Sequence, residues 1–185
     1  MSTLEVNKIT PSTGTGITLG DSGDTFTIPS GVTITNNGTQ TGFGGNNTPA
    51  FRAFNSATQN VANTTLTTLS FNSETFDSDG KYDTSNGRFT PAEAGKYVLF
   101  ANTRPNDAAT YLIELEIRTS AENAIAKSVL VNSGSGNVSL SVYTIADLSA
   151  DEYAFVTAYH SGGSTIPLLA GTAETFFGGF KLIGA

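Results

Sequence analysis

His160 is the one imidazole in a chain of 185 residues that holds no cysteine, so any nucleophilic or metal chemistry would have to be built around it or around carboxylates alone. A Ser-His-Asp arrangement would need this residue, yet neither a Gly-x-Ser-x-Gly elbow nor another nucleophile signature accompanies it. Acid/base work by carboxylates alone has no motif behind it. Without thiolates, disulfide frameworks and cysteine zinc sites are excluded. Asp77-Ser78-Asp79-Gly80 with Asp83 hints at a calcium loop. The glycine falls two positions early, however, and no closing glutamate follows where the twelve-residue pattern requires it, so a turn is expected. Gly14-Thr15-Gly16 lacks the third glycine and the following helix that would cradle a phosphate, and it also reads as a turn. Neither a catalytic residue nor a cofactor or metal site is expected, and His160 reads as a strand-end residue at the surface.

Composition narrows the partners and the fold. The net charge is −7, with only nine Lys and Arg, so clustered cations that could grip a phosphate backbone are missing and no nucleic acid is expected. Charged residues make up 14% of the chain, about half the usual share, so solubility rests on Asn, Thr and Ser, a balance that favours strands over helices. MSTLEVNKIT has no basic patch followed by an apolar run, no segment approaches the length of a membrane span, and the expectation is a soluble protein made in a cytoplasm without membrane insertion. Asn37, Asn46, Asn63 and Asn137 open Asn-x-Ser/Thr sequons, read here as a by-product of Thr-rich composition.

The elements that must position any site fall into two grammars. Residues 4 to 42 repeat an apolar-Thr-apolar unit closed by a Gly or Pro turn, as in Ile17-Thr18-Leu19, Phe26-Thr27-Ile28 and Val32-Thr33-Ile34. Such strands are too short to stand alone and gain stability by stacking into a β-solenoid or winding with identical chains; a disordered leader is the alternative. Gly42 to Asn47 reads as a hinge, giving a stalk at 1–45 and a head at 46–185. In the head, strands are expected at Phe51–Phe54, Thr65–Phe71, Arg88–Thr90, Lys96–Ala101, Tyr111–Arg118, Val138–Leu148, Glu152–His160 and Glu174–Ile183. Turns at Asp83–Gly87 and Pro91–Gly95 bracket the third of these. Lys96–Ala101 and the last strand carry apolar side chains of both parities, which predicts cover on both faces. Tyr111–Arg118 alternates, with Glu114, Glu116 and Arg118 expected to face water. Asn123–Val131 fits a helix capped by Ser120 or a strand, and the strand is preferred. Regular strands with turns between them indicate an all-β sandwich or jelly roll.

FDSDGKYDTSNGRFTPAEAGKYVLF and the closing TFFGGFKLIG resemble the globular head domain of complement component 1q, among the tumour necrosis factor-like jelly rolls. The match runs from about Ala50 to Ala185 through Phe76, Gly80, Tyr82, Gly87, Phe89, Pro91, Gly95, Tyr97, Phe100, Phe177, Gly179 and Phe180. Ala150-Asp151-Glu152 departs from the family's usual Gly-Asp before its seventh strand, which puts one turn in question. The resemblance implies a ten-stranded sandwich assembled as a homotrimer, often on an elongated stalk. Tyr97, Phe100, Phe176, Phe177 and Phe180 are then the candidate trimer interface; a ligand pocket that also includes Phe51 and Phe54 is the alternative. Three copies of His160 meeting on a threefold axis could hold a metal or anion. The first 42 residues are similar to the openings of structural proteins of tailed bacteriophages, fibre proteins in particular. If the strands alternate in direction, loops Ser56–Thr64, Arg104–Thr110, Asn132–Asn137 and Ser161–Ala173 share one end, with Arg104, Asn106, Asp107, Asn132, Asn137 and His160 as candidate partner-binding groups. The expectation is a non-enzymatic virion protein, assembled in the host cytoplasm, attached to other virion proteins by its N-terminus and presenting its head to a host glycan or protein. A purely structural trimer and a bacterial surface adhesin are the alternatives.

Overall fold

A computed structural model describes residues 9–35, 37, 47–121, 123–134 and 136–182. Contacts divide the chain into two units, Met1–Thr41 and Gly42–Ala185. In the first, the turns between the Thr-centred units are made: the Asp24 amide donates to the Asp21 carbonyl at 3.0 Å, the Asp21 amide to the Asp24 carboxylate at 2.8 Å, and the Val32 amide to the Pro29 carbonyl at 3.2 Å. The expected strands at 17–19, 26–28 and 32–34 are absent from the single chain, and Ile17, Leu19, Phe26, Val32 and Ile34 are all exposed. The physical reason is the one that makes such segments dependent on neighbours: each carries one apolar face and two open edges. The hinge residues Gly42 to Asn46 and the 45/46 boundary lie outside the described residues.

The second unit is all-β, with no helix among the described residues. Its strands are β1 (Ala50–Phe54), β2 (Gln59–Val61), β3 (Thr67–Thr68), β4 (Ser73–Asp77), β5 (Tyr82–Asp83), β6 (Arg88–Phe89), β7 (Gly95–Thr103), β8 (Thr110–Thr119), β9 (Ala124–Ser133), β10 (Leu140–Leu148), β11 (Ala154–His160), β12 (Ile166–Leu168) and β13 (Phe176–Lys181). One sheet has the order β10-β7-β13-β1-β4; the other runs β5-β6-β11-β8-β9 with β3 attached to β11; β12 and β2 form a separate pair. Asn123–Val131 is thus largely strand β9, and its ladder with β8 is antiparallel from Thr110↔Ser133 to Arg118↔Ala124. Thr65–Phe71 yields only the two residues of β3; Leu69 and Phe71 are buried beyond it. Ile183 lies outside the described residues.

Period-two side-chain alternation builds the core between the sheets. Phe51 and Ala53, Tyr97, Leu99 and Ala101, Ile113, Leu115 and Ile117, Val156 and Ala158, and Phe177 all point inward and are buried. Phe51 organises the aromatic part, stacked on Phe89 at 4.5 Å and on Tyr82 at 5.1 Å, with Phe177 edge-on at 5.0 Å. The tight turn at Asp83–Gly87 is closed by the Gly87 amide to the Asp83 carbonyl at 2.8 Å. Gly87 has φ 74°, and an added Cβ would meet the Leu69 carbonyl oxygen at 2.7 Å, so the position requires glycine on two counts. The turn at Ala150-Asp151-Glu152 is also made: Asp151 takes φ 67° in place of a glycine, and its amide donates to the Pro91 carbonyl at 3.0 Å.

Strand directions follow from the ladders. β1, β7, β9 and β11 all run toward the end of the sandwich where Asn55, Thr103, Ser133 and His160 stand, so the loops after them gather at one end, opposite Ala50.

Candidate functional site

Three surfaces of the second unit carry the residues singled out above. The first is the outward face of the sheet β10-β7-β13-β1-β4. Alternation that sends Tyr97, Leu99 and Ala101 inward sends Val98 and Phe100 outward; β13 presents Phe176 and Phe180, β1 presents Arg52 and Phe54, and β10 presents Tyr143 and Ile145. Tyr143 is 80% and Ile145 62% exposed, and Phe76 on the edge strand is 50% exposed. A contiguous apolar face of this kind is unusual on an isolated soluble chain. Phe100 and Phe176 meet edge-to-face at 6.3 Å, and the Arg52 guanidinium lies 4.5 Å from the centre of the Phe176 ring while donating to the Thr172 carbonyl at 2.6 Å. Of the five candidate interface residues, Phe100, Phe176 and Phe180 lie on this face. Tyr97 and Phe177 do not: both are wholly buried in the core and have no surface to offer a partner. Their parity, opposite to that of Phe100 and Phe180, is the reason. Tyr97 spends its hydroxyl on the Glu93 carbonyl at 2.7 Å. Phe54 was a candidate only for the alternative pocket, and Arg52, Phe76, Val98, Tyr143 and Ile145 were not among the candidates, although the alternation Tyr143-Thr144-Ile145 against buried Val142 and Ala146 was readable.

The second surface is the cluster of loops at the end opposite Ala50. Here most of the candidate polar groups are spent inside the molecule. Asn132 is buried: its amide nitrogen donates to the Asp107 and Gly136 carbonyls, both at 3.1 Å, and its oxygen accepts the Gly134 amide at 3.1 Å. Asn137 donates to Asn106 across 3.1 Å. Arg104 pairs with Glu174, reaching its two carboxylate oxygens at 3.2 and 3.0 Å. Asp107 caps its own turn through the Ala109 amide at 2.8 Å. His160 is the plainest correction, because it is fully buried and not a surface residue. Its Nδ1 accepts the Gly162 amide at 3.1 Å and its Nε2 lies 2.8 Å from the Val61 carbonyl. A ring so enclosed cannot join copies of itself on an axis. Asn106 remains exposed and Asp107 half-exposed.

The third surface is the outward face of β8, β9 and β11. Glu116, expected to face water, is buried there beneath its partners: Lys127 approaches one carboxylate oxygen at 2.6 Å, Arg118 the other at 2.6 Å, and the Thr157 hydroxyl donates at 3.4 Å. Burial acts to raise the Glu116 pKa, but the hydrogen bonds and charges of Lys127 and Arg118 outweigh it and hold the carboxyl below its usual range. Lys127 also pairs with Glu114 at 2.8 Å, and the hydrogen bonds it donates to the two carboxylates raise its pKa. Ile125, Val129 and Val131 stand exposed on the edge strand β9. Elsewhere, burial pushes the Tyr82 hydroxyl upward, and its proton is donated to the Phe71 carbonyl at 3.1 Å. Among the described residues no three His, Asp or Glu side chains gather where they could hold a metal ion. The Asp77 carboxylate instead accepts the Tyr82 amide at 2.8 Å, as a turn residue does.

Comparison with known proteins agrees with this architecture. A family model described as the C1q domain matches residues 50–182. Among solved structures, the globular domain of zebrafish complement 1qA is similar at a TM-score of 0.54 and 16% identity, over 72% of this chain and 97% of that one. Eiger, a TNF of S. frugiperda, is similar at 0.58 and 11% identity, over 74% and 93% of the two chains. Murine APRIL is similar at 0.59 and 11% identity, over 72% and 98%. At these identities the likeness speaks to the fold. No curated protein matches the chain.

Proposed function

The chain belongs to the C1q domain family, and from that premise we propose that it is a non-catalytic homotrimer of a bacteriophage particle, a fibre or decoration protein held to other virion proteins by its N-terminal segment. Domains of this family are generally binding domains, and typically form homotrimers. The observation that carries the trimer is the apolar outward face of Phe54, Val98, Phe100, Phe176 and Phe180, continued by Tyr143 and Ile145. A second apolar strip, Ile125, Val129 and Val131, lies on the other sheet. Two different surfaces on one chain suit a heterologous contact, which gives a threefold ring when its rotation is a third of a turn, better than a twofold one. Burial of several aromatics per copy belongs to the obligate class of roughly 2,000 Å² or more.

The particle setting rests on the first unit. Its exposed Ile17, Leu19, Phe26, Val32 and Ile34 alternate with threonine, and winding with identical chains would cover them. Attachment there leaves the head free to meet a host glycan or protein, and three weak sites on one trimer bind a repetitive surface far more tightly than one. The decisive experiment is imaging of intact particles with antibody raised against the head. Labelling of particles at a fixed number of threefold sites supports the reading; labelling of virus-free cell surfaces instead would replace it with an adhesin.

A second reading, a purely structural trimer without a receptor, is favoured by the internal use of Asn132, Asn137, Arg104 and His160. Alanine at Asn106 and Asp107 separates the two. Lost adsorption to host cells supports recognition by the loop end, and unchanged adsorption supports the structural role.

A further inference from the structure

Asn55, Thr103 and Thr175 are each 1% exposed or less, and the Oδ1 of the first and the hydroxyl oxygens of the other two have no hydrogen-bond partner among the described residues. They are neighbours. Thr103 and Thr175 stand one step beyond the Asn102↔Phe176 rung that joins β7 to β13. Asn55 follows the Phe54↔Phe176 rung on the other side of β13, and its amide donates to the Thr175 carbonyl at 3.0 Å. Alternation along each strand, with Ala101, Ala53 and Phe177 inward two residues earlier or later, turns all three side chains to the inner face. Three unmatched oxygens, at the end of β7 and at the adjoining ends of β1 and β13, at one level of one core, are not scattered defects. Each unpaired buried polar group is costly, and native interiors satisfy nearly all of them.

Several nearby polar groups are already committed. The Asn55 amide nitrogen donates to Gln59 at 3.3 Å; Gln59 in turn accepts the Ser70 amide at 3.0 Å and donates to the Thr68 carbonyl at 2.8 Å. The Glu174 carboxylate is held by Arg104. A cation bound by the three oxygens would therefore be buried with no carboxylate shown to offset it, which is strongly unfavourable. A neutral occupant that both donates and accepts fits two hydroxyls and one amide oxygen. We propose that Asn55, Thr103 and Thr175 form a buried hydration site, in which ordered water bridges the inner ends of β1, β13 and β7. The segment that leads into Thr175 is fixed beside it by the Leu169 amide to the Arg104 carbonyl at 2.8 Å and the Gly171 amide to the Asn55 carbonyl at 2.8 Å.

The isosteric change from threonine to valine gives the test its sign. A dry, unpaired hydroxyl is relieved by a methyl group, whereas a hydroxyl that holds water loses a partner. With water bound, Thr103→Val and Thr175→Val each lower the thermal midpoint of the full-length protein by about 2–4 °C. Midpoints that rise in both variants overturn the proposal. A crystal structure of the unaltered protein, fine enough to place solvent, gives an answer independent of whether either variant folds. Density within hydrogen-bonding distance of at least two of the three oxygens supports the site, and a dry interior overturns it. Exchange of sodium or potassium chloride for choline chloride leaves the midpoint unchanged if the occupant is water; a midpoint that follows either metal ion assigns the site to that ion and overturns the proposal.

Discussion

At His160, the Gly162 amide donates to Nδ1, so in the neutral ring the proton sits on Nε2 and reaches the Val61 carbonyl. One side chain thereby ties β2 to the loop after β11. Replacement by phenylalanine keeps a ring against Tyr111, whose centre is 6.4 Å away, but removes both the bond to the Val61 carbonyl and the acceptor of the Gly162 amide. His160→Phe is expected to cost about 2–4 kcal/mol, read from equilibrium urea unfolding; a loss below half a unit would mean that the two bonds contribute nothing. Glu116 gives a second residue-scale expectation. Its folded pKa lies below the ordinary 4.5, so the stability it adds is present above that value and is lost as the pH falls through the folded pKa. Glu116→Gln should therefore flatten the acid limb of the stability profile below about pH 4.5, with little change in its slope near neutrality. The burial of His160 and of Asn132 was partly legible. His160 shares the parity of Val156 and Ala158, and Asn132 that of Leu130, which alone places them inward. What hid them was residue type, since a lone imidazole and an asparagine at strand ends look like surface groups until the loops that cover them are known.

Among the elements, β13 depends on an absence of side chains. Gly178 and Gly179 sit in its middle, where a Cβ on Gly179 would meet the Val98 carbonyl oxygen and the Leu99 Cδ2 at 2.7 Å, and one on Gly178 would meet the Phe100 ring at 2.5 Å and, less closely, the Phe51 carbonyl oxygen at 3.0 Å. The ring of Phe100 thus covers glycine backbone across the ladder. A flexible ring can turn aside, but a carbonyl in a central strand cannot. Gly179→Ala should cost about 1–3 kcal/mol and more than Gly178→Ala, with unfolding midpoints as the measure. Asp151 offers the opposite sign. It holds φ 67° without the freedom of glycine, so Asp151→Gly should stabilise by about 0.5–1 kcal/mol; any loss would show that the carboxylate supports the turn. Long strands such as β7, β8 and β10 were legible because their alternation spans many residues. The short ones were not. Ile166-Pro167-Leu168 and Gln59-Asn60-Val61 become strands only by pairing with each other, a relation between distant segments that no local period contains.

For the whole molecule, the two-sided apolar character of β7 and β13 separates what folds the chain from what would assemble it. Phe177 and Phe180 are three residues apart on one strand, yet the first packs against Phe51 and Phe71 in the core and the second stands on the outward face. The sequence showed that both faces of these strands needed cover, but not which aromatic served which face, because parity is fixed only by the register with β1 and β7. Substitution then sorts the roles. Phe177→Ala removes a buried ring and should cost about 3–5 kcal/mol, lowering the midpoint of unfolding. Phe180→Glu, or Tyr143→Asp with Ile145→Lys, places charge on the outward face and leaves the inward-facing side chains untouched. In the proposed trimer these changes should convert the mass in solution from three chains to one, by light scattering or sedimentation, while far-ultraviolet circular dichroism retains its strand signature. A charged variant that stays at threefold mass would move the contact to another surface, and the strip of Ile125, Val129 and Val131 is where substitution should then abolish it. Should the unaltered protein be monomeric at every concentration tested, this exposed face would need another partner, and the valence on which shallow recognition depends would be lost with the trimer.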